Sequence, residues 1–184
     1  MEVCKKEGKF ILRSGKESKF YIDKYQAFAR AEILKPLTDH LARLIPPETE
    51  VLAGLSLGGI PLCTALCLKT GRDAVFIREQ AKSHGTGKLI EGVEIYGKNV
   101  LIIEDITSTG GAIIEAVQAL RSHGAKVNKA LCMIRRQVIL NPKMQDRNIN
   151  LISLYSLADL ENLNALEIVS EPELPEPDHT FAAL

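Results

Sequence analysis

The 184 residues carry 23 lysines and arginines against 23 aspartates and glutamates, so no net field marks the chain for nucleic acid or a membrane surface. Hydrophobic residues make up 46% and charged ones 25%, the balance of one soluble domain able to bury a single core. The four cysteines, Cys4, Cys63, Cys67 and Cys132, include no CxxC pair and no histidine at zinc spacing; free thiols in a reducing cytosol are expected.

The opening MEVCKKEGKF lacks the apolar stretch of a signal peptide, which points to a cytoplasmic protein. Residues 10–24 alternate loosely about SGKES and predict a hairpin within 8–30. Ala31 to Ile45 places apolar residues at helical spacing, and PPET stops it. Val51 to Leu68 runs 18 residues without a charge, near the lower limit for a membrane span. Ser56, Gly58, Gly59 and Pro61 divide it instead into strand, loop and helix.

Short apolar runs at Val51–Leu55, Ala74–Ile77, Asn99–Ile103, Ala130–Ile134 and Ile149–Leu154 predict strands. Helical patterns at Ile60–Lys69 and Gly111–His123 separate several of them, with Gly124 as a stop. This alternation predicts an α/β fold, a mainly parallel sheet with helices on both faces. Two segments break the rhythm: a long polar loop at Glu79–Glu91, and a proline-rich acidic tail over 171–184. The whole, 1–184, is expected to be one domain.

The densest chemistry lies in VLIIEDITSTGGA, Val100 to Ala112. Ligands of an open parallel sheet bind beyond the carboxyl ends of its strands, where Glu104 and Asp105 are placed. Adjacent carboxylates raise each other's pKa unless donors or cations relieve them, and a ribose diol or a hydrated magnesium ion would do so. Thr107 to Gly111 then form a turn into a helix, whose free amides and dipole, with the hydroxyls of Thr107, Ser108 and Thr109, suit a phosphate. Neither a GxxxxGK[ST] loop nor a GxGxxG fingerprint is present in the sequence. A plain N-cap would explain a single Asp or Ser, but not thirteen patterned residues.

VLIIEDITSTGGA resembles the phosphoribosyl-pyrophosphate (PRPP) signature of type I phosphoribosyltransferases. FILRSGKESKFYID at Phe10–Asp23 resembles the N-terminal hairpin of the orotate phosphoribosyltransferase family, and GLSLGGIPLCTAL at Gly54–Leu66 its pyrophosphate loop. IREQAKSHGTGKLIEG at Ile77–Gly92 resembles the mobile catalytic loop, and RRQ at Arg135–Gln137 the segment holding the orotate carboxylate.

The resemblance implies the type I phosphoribosyltransferase fold with the hairpin as a hood, and transfer of a phosphoribosyl group from PRPP to orotate. It implies Arg78, Lys82 and His84 as the catalytic loop residues that meet the departing pyrophosphate. PRPP would be held by Leu57, Gly58 and Gly59 and by Glu104, Asp105, Ile106, Thr107, Ser108, Thr109, Gly110, Gly111 and Ala112. Orotate would meet Ser108, Arg136, Tyr21, Ile22 and Arg13, with Arg136 gripping its carboxylate by a guanidinium fork. Mg²⁺ would arrive on PRPP with no direct protein ligand, Asp105 reaching it through water, and a homodimer would share the mobile loop across its interface. No nucleic acid or membrane partner is implied. From the residues alone, Glu79–Glu91 also reads as a solvated loop, SLGG as a plain strand-to-helix turn, and Tyr21 as core packing. The sequence departs from the family at Glu79 and Arg135, where lysine and aspartate are common, and in a short segment before the hairpin. Transfer to another base, or PRPP binding without catalysis, are the alternatives.

Overall fold

Val51 to Leu55 is buried at all five positions, as expected of a strand covered on both faces and flanked on both edges. This strand, β3, lies within a six-stranded sheet of the computed structural model, which describes residues 5–11, 17–78 and 89–162. Ahead of it come a two-stranded antiparallel hairpin, β1 (Lys5–Ile11) and β2 (Glu17–Ile22), and two helices, α1 (Lys24–Phe28) and α2 (Ala31–Ala42). After it follow α3 (Gly59–Thr70), β4 (Asp73–Ile77), β5 (Ile90–Gly92), β6 (Asn99–Thr107) and α4 (Gly111–Ser122). β7 (Lys126–Arg135), α5 (Pro142–Asp146), β8 (Asn150–Ser156) and α6 (Leu157–Asn162) complete the described chain.

The sheet order is β5-β4-β3-β6-β7-β8, with every neighbour parallel except the short edge strand β5. Successive residues of a strand point to opposite faces, and the core divides accordingly. Ala53, Val100, Ile102 and Ala130 pack with Ile113, Val117 and Leu120 of α4. Leu52, Leu101, Ile103 and Leu131 pack instead with Phe28, Leu41, Leu62 and Leu66 of α1, α2 and α3. These two layers hold the carboxyl ends of β3, β6 and β7 side by side.

The expected strands and helices are present, but several start or end elsewhere, as β1 does at Lys5 and β7 at Lys126, and the short helix α6 is additional. β6 runs on through Glu104, Asp105, Ile106 and Thr107 rather than stopping at Ile103, because β7 continues beside it and pairs as far as Thr107↔Arg135. Residues 90 and 91 of the expected polar loop belong to β5, which pairs with β4. The short helices α1 and α5, of five residues each, lack a long enough apolar period to be read from sequence. The uncharged run from Val51 divides into strand, turn and helix as expected, and no described helix is long and apolar enough to cross a membrane.

Candidate active site at the carboxyl ends of the strands

Because β6 extends to Thr107, the two acids lie in its last residues and their side chains leave opposite faces. Asp105 is only 2% exposed, on the side covered by α1 and α3. Its Oδ1 accepts the Ile106 N–H at 2.5 Å, and its Oδ2 forms an ion pair with the ammonium of Lys24. Glu104 is half-buried, and its Oε1 accepts the Asp105 N–H at 3.0 Å.

Burial first, then the hydrogen bond and charge of Asp105, push the Glu104 carboxyl up to about 9. The Asp105 amide and Lys24 act in the other direction without offsetting this. Glu104 therefore holds its proton at neutral pH in the ligand-free protein. For Lys24, burial works to lower the pKa, but the hydrogen bond and charge of Asp105 outweigh it and leave it raised. A cation thus pairs with Asp105 without relieving Glu104, and it is a lysine that the strand-end pattern gives no hint of.

Beyond Thr107 the chain turns through Ser108, Thr109 and Gly110 into α4. Gly110 has φ 86°, and a Cβ there would stand 2.2 Å from Met144 Sδ, so both backbone and space call for glycine. Gly111 and Ala112 open the helix, where the first amides have no partner within the helix and the dipole favours an anion. The segment after β7 braces this turn: Arg136 N–H donates to Thr107 O at 2.9 Å, and Asn141 N–H to Thr109 O at 2.9 Å. Asn141 and Met144 were not foreseen as partners of the turn, since residues this far apart in sequence meet only through the fold.

The Ser56–Gly59 turn lies next to β6. Its Ser56–Leu57 peptide bond is cis, and Ser56 N–H donates to Ile77 O at 2.9 Å. A Cβ on Gly58 would fall 1.4 Å from Asp105 Oδ2, so only glycine lets the turn lie against the acid. Leu57 is 65% exposed beside the turn. Leu57 and Ser56 border a groove that Ile60, Phe76, Ile77, Arg78 and Glu91 complete. At its edge Arg78 approaches Glu91, Nε to Oε1 at 3.7 Å, and its N–H donates to Leu89 O at 3.0 Å.

Glu104, Asp105, Ile106, Thr107, Ser108, Thr109, Gly110, Gly111, Ala112, Gly58, Gly59 and Arg136 are therefore gathered about one strand end. Leu57 and Arg78 stand on the adjoining groove. Tyr21 and Ile22 end β2, immediately before α1, and their side chains are not among those described. Arg13, Lys82 and His84, with Glu79, lie outside the described residues. Among the described residues no group of three or more His, Cys, Asp or Glu could hold a metal ion, and both Asp105 oxygens are engaged.

A strand ending in two acids, a hydroxyl- and glycine-rich turn, and a helix N-terminus define a phosphoribosyltransferase, and residues 27–153 match the phosphoribosyl transferase domain. An orotate phosphoribosyltransferase of Nocardioides sp. is 38% identical over 159 residues, covering 86% of this chain and 89% of that protein. One of Pyrococcus abyssi is 38% identical over 160 residues, covering 85% and 88%. The chain belongs to the orotate phosphoribosyltransferase family. Among solved structures, the Aeropyrum pernix orotate phosphoribosyltransferase superposes with TM-score 0.79 at 26% identity, covering 88% of this chain and 93% of that one. The Mycobacterium tuberculosis orotate phosphoribosyltransferase in complex with PRPP gives TM-score 0.68 at 29% identity, covering 83% and 89%.

Proposed function

We propose that this chain transfers the 5-phosphoribosyl group of PRPP to a ring nitrogen of orotate, releasing pyrophosphate and forming orotidine 5'-monophosphate for pyrimidine biosynthesis. The observation that carries the proposal is the tie between Arg136 N–H and Thr107 O, which sets a guanidinium-bearing residue beside a phosphate turn at the same strand end. Glu104 offers the ribose hydroxyls a carboxyl acceptor, and the turn from Thr107 to Gly110 offers amides and hydroxyls to the 5'-phosphate. The Ser56–Gly59 turn and Arg78 meet the pyrophosphate, with Lys82 and His84 assigned to it by resemblance. As the C1–O bond breaks, negative charge grows on the pyrophosphate, and cations and amides already in place stabilise it.

Magnesium enters in this proposal as the PRPP complex, as the resemblance to the family implies. The catalytic loop is assigned to a homodimer in which it reaches the partner's site, and the protein to the cytoplasm. Mixing Lys82→Ala with Arg136→Ala tests the shared site: each variant is idle alone, and the mixture regains activity as hybrid dimers form. Mass spectrometry of the product should show orotidine monophosphate. No recovery on mixing would overturn the shared loop, and hydrolysis of PRPP without attachment to a base would overturn the transfer.

A further inference from the structure

Lys24 plays no part in the strand-end pattern, yet its ammonium ends there. It is the first residue of α1, directly after the hairpin, and it pairs with Asp105 Oδ2. A Cβ on Gly58 would stand 3.1 Å from Lys24 Nζ as well as 1.4 Å from Asp105 Oδ2. The hairpin's exit, the Ser56–Gly59 turn and the end of β6 thus meet at one ammonium–carboxylate contact. The Lys24 side chain is 23% exposed and that of Asp105 3%, so water does little to screen the pair. The ammonium also lies 5.3 Å from the centre of the Tyr25 ring.

Asp105 has a second task. Its Oδ1 holds the N–H of Ile106, the residue before Thr107, where the phosphate turn begins. A buried carboxylate that loses its counter-ion is drawn toward water, and swinging there releases that N–H. We propose that Lys24 is a positioning residue of the PRPP site: its ammonium holds Asp105 beneath Gly58, and through Asp105 fixes the backbone that starts the phosphate turn. Lys24 acts through the carboxylate and does not touch substrate. The two acids then divide their work, Asp105 facing inward to hold the turn and Glu104 left to the sugar hydroxyls. This rests on the assignment of the strand end to PRPP.

The test is calorimetric titration of magnesium–PRPP into the full chain and five variants: Glu104→Gln, Asp105→Asn, Lys24→Met, Lys24→Arg, and Lys24→Met with Asp105→Asn. Glu104→Gln should weaken binding at least ~10-fold; unchanged affinity there would overturn the sugar assignment itself, whatever Lys24 does. Lys24→Met should weaken binding ~10-fold or more, and Lys24→Arg should stay within ~3-fold of wild type. The double variant should bind no more weakly than Asp105→Asn alone, within ~2-fold, because a residue acting only through its partner adds nothing once the partner is changed. This comparison also serves if Lys24→Met fails to fold, since the double variant replaces the ion pair by neutral groups. With Glu104→Gln weakened as expected, wild-type affinity in Lys24→Met would overturn the proposal. Additive losses in the double variant would overturn it too.

Discussion

Glu104 sits in register with Cys132 of β7, so the acid that faces the proposed sugar site is backed by a buried thiol rather than by a base. Burial, and next the charge of Glu104, push the Cys132 thiol up to about 12, so it supplies no competing charge near neutrality. Glu104 adds a pH dependence to the stability of the ligand-free protein. Its pKa rises from 4.5 to about 9 on folding, so its contribution is complete below pH 4.5 and is lost as pH rises through 9. Wild-type Tm should fall across that window, and Glu104→Gln should flatten the fall. At pH 8.5 the variant should melt at least ~5 °C higher, while near pH 4.5 the two should agree within ~1 °C. Parallel Tm–pH curves for the two proteins would contradict the protonated state of Glu104.

Changing both acids to amides should abolish PRPP binding while the chain still folds. Lys24 can reach water when Asp105 is neutral, since its side chain is 23% exposed. Calorimetry should show no PRPP heat from a variant whose circular dichroism matches wild type; retained affinity would remove the acid pair from the PRPP site.

Arg136→Lys should raise the orotate KM by ~10-fold or more and change PRPP affinity by less than ~3-fold. The Arg136 N–H bond to Thr107 O is made by the backbone and survives the substitution, so the phosphate turn is kept. Steady-state kinetics with each substrate varied would decide. Equal effects on the two would make Arg136 a structural residue.

Gly58→Ala should act as a site substitution rather than a general destabilisation. Its new methyl would meet Asp105 Oδ2 at 1.4 Å, and displacement of the turn away from β6 should raise the PRPP KM by ~10-fold or more. Gly71→Ala is the control, because a Cβ there meets nothing within 4 Å although φ is 70°. It should leave KM alone and cost about 1 kcal/mol of stability in a denaturant melt. Matched KM values for the two variants would detach Gly58 from the site.

Much of this site was legible in the sequence because its parts are consecutive. Val100 to Ala112 spells strand, acids, turn and helix in one run, and Ser56–Gly59 does the same more briefly. What escaped depends on contacts across the fold. Glu104 and Asp105 interrupt an apolar run and so hide the last four residues of β6, which only the ladder with β7 makes a strand. Lys24 carries no local signal at all: an isolated lysine after a hairpin reads as a solvated charge until packing of α1 brings it to Asp105. Met144 under Gly110 is hidden for the same reason.

Loss of orotate absorbance on mixing protein, magnesium and PRPP with orotate, repeated with uracil, adenine and hypoxanthine as acceptors, tests the central claim most directly. Orotate should be consumed in step with pyrophosphate release, and the other three bases should be left unchanged. Bound PRPP with no loss of orotate, or faster turnover of another base, would contradict it.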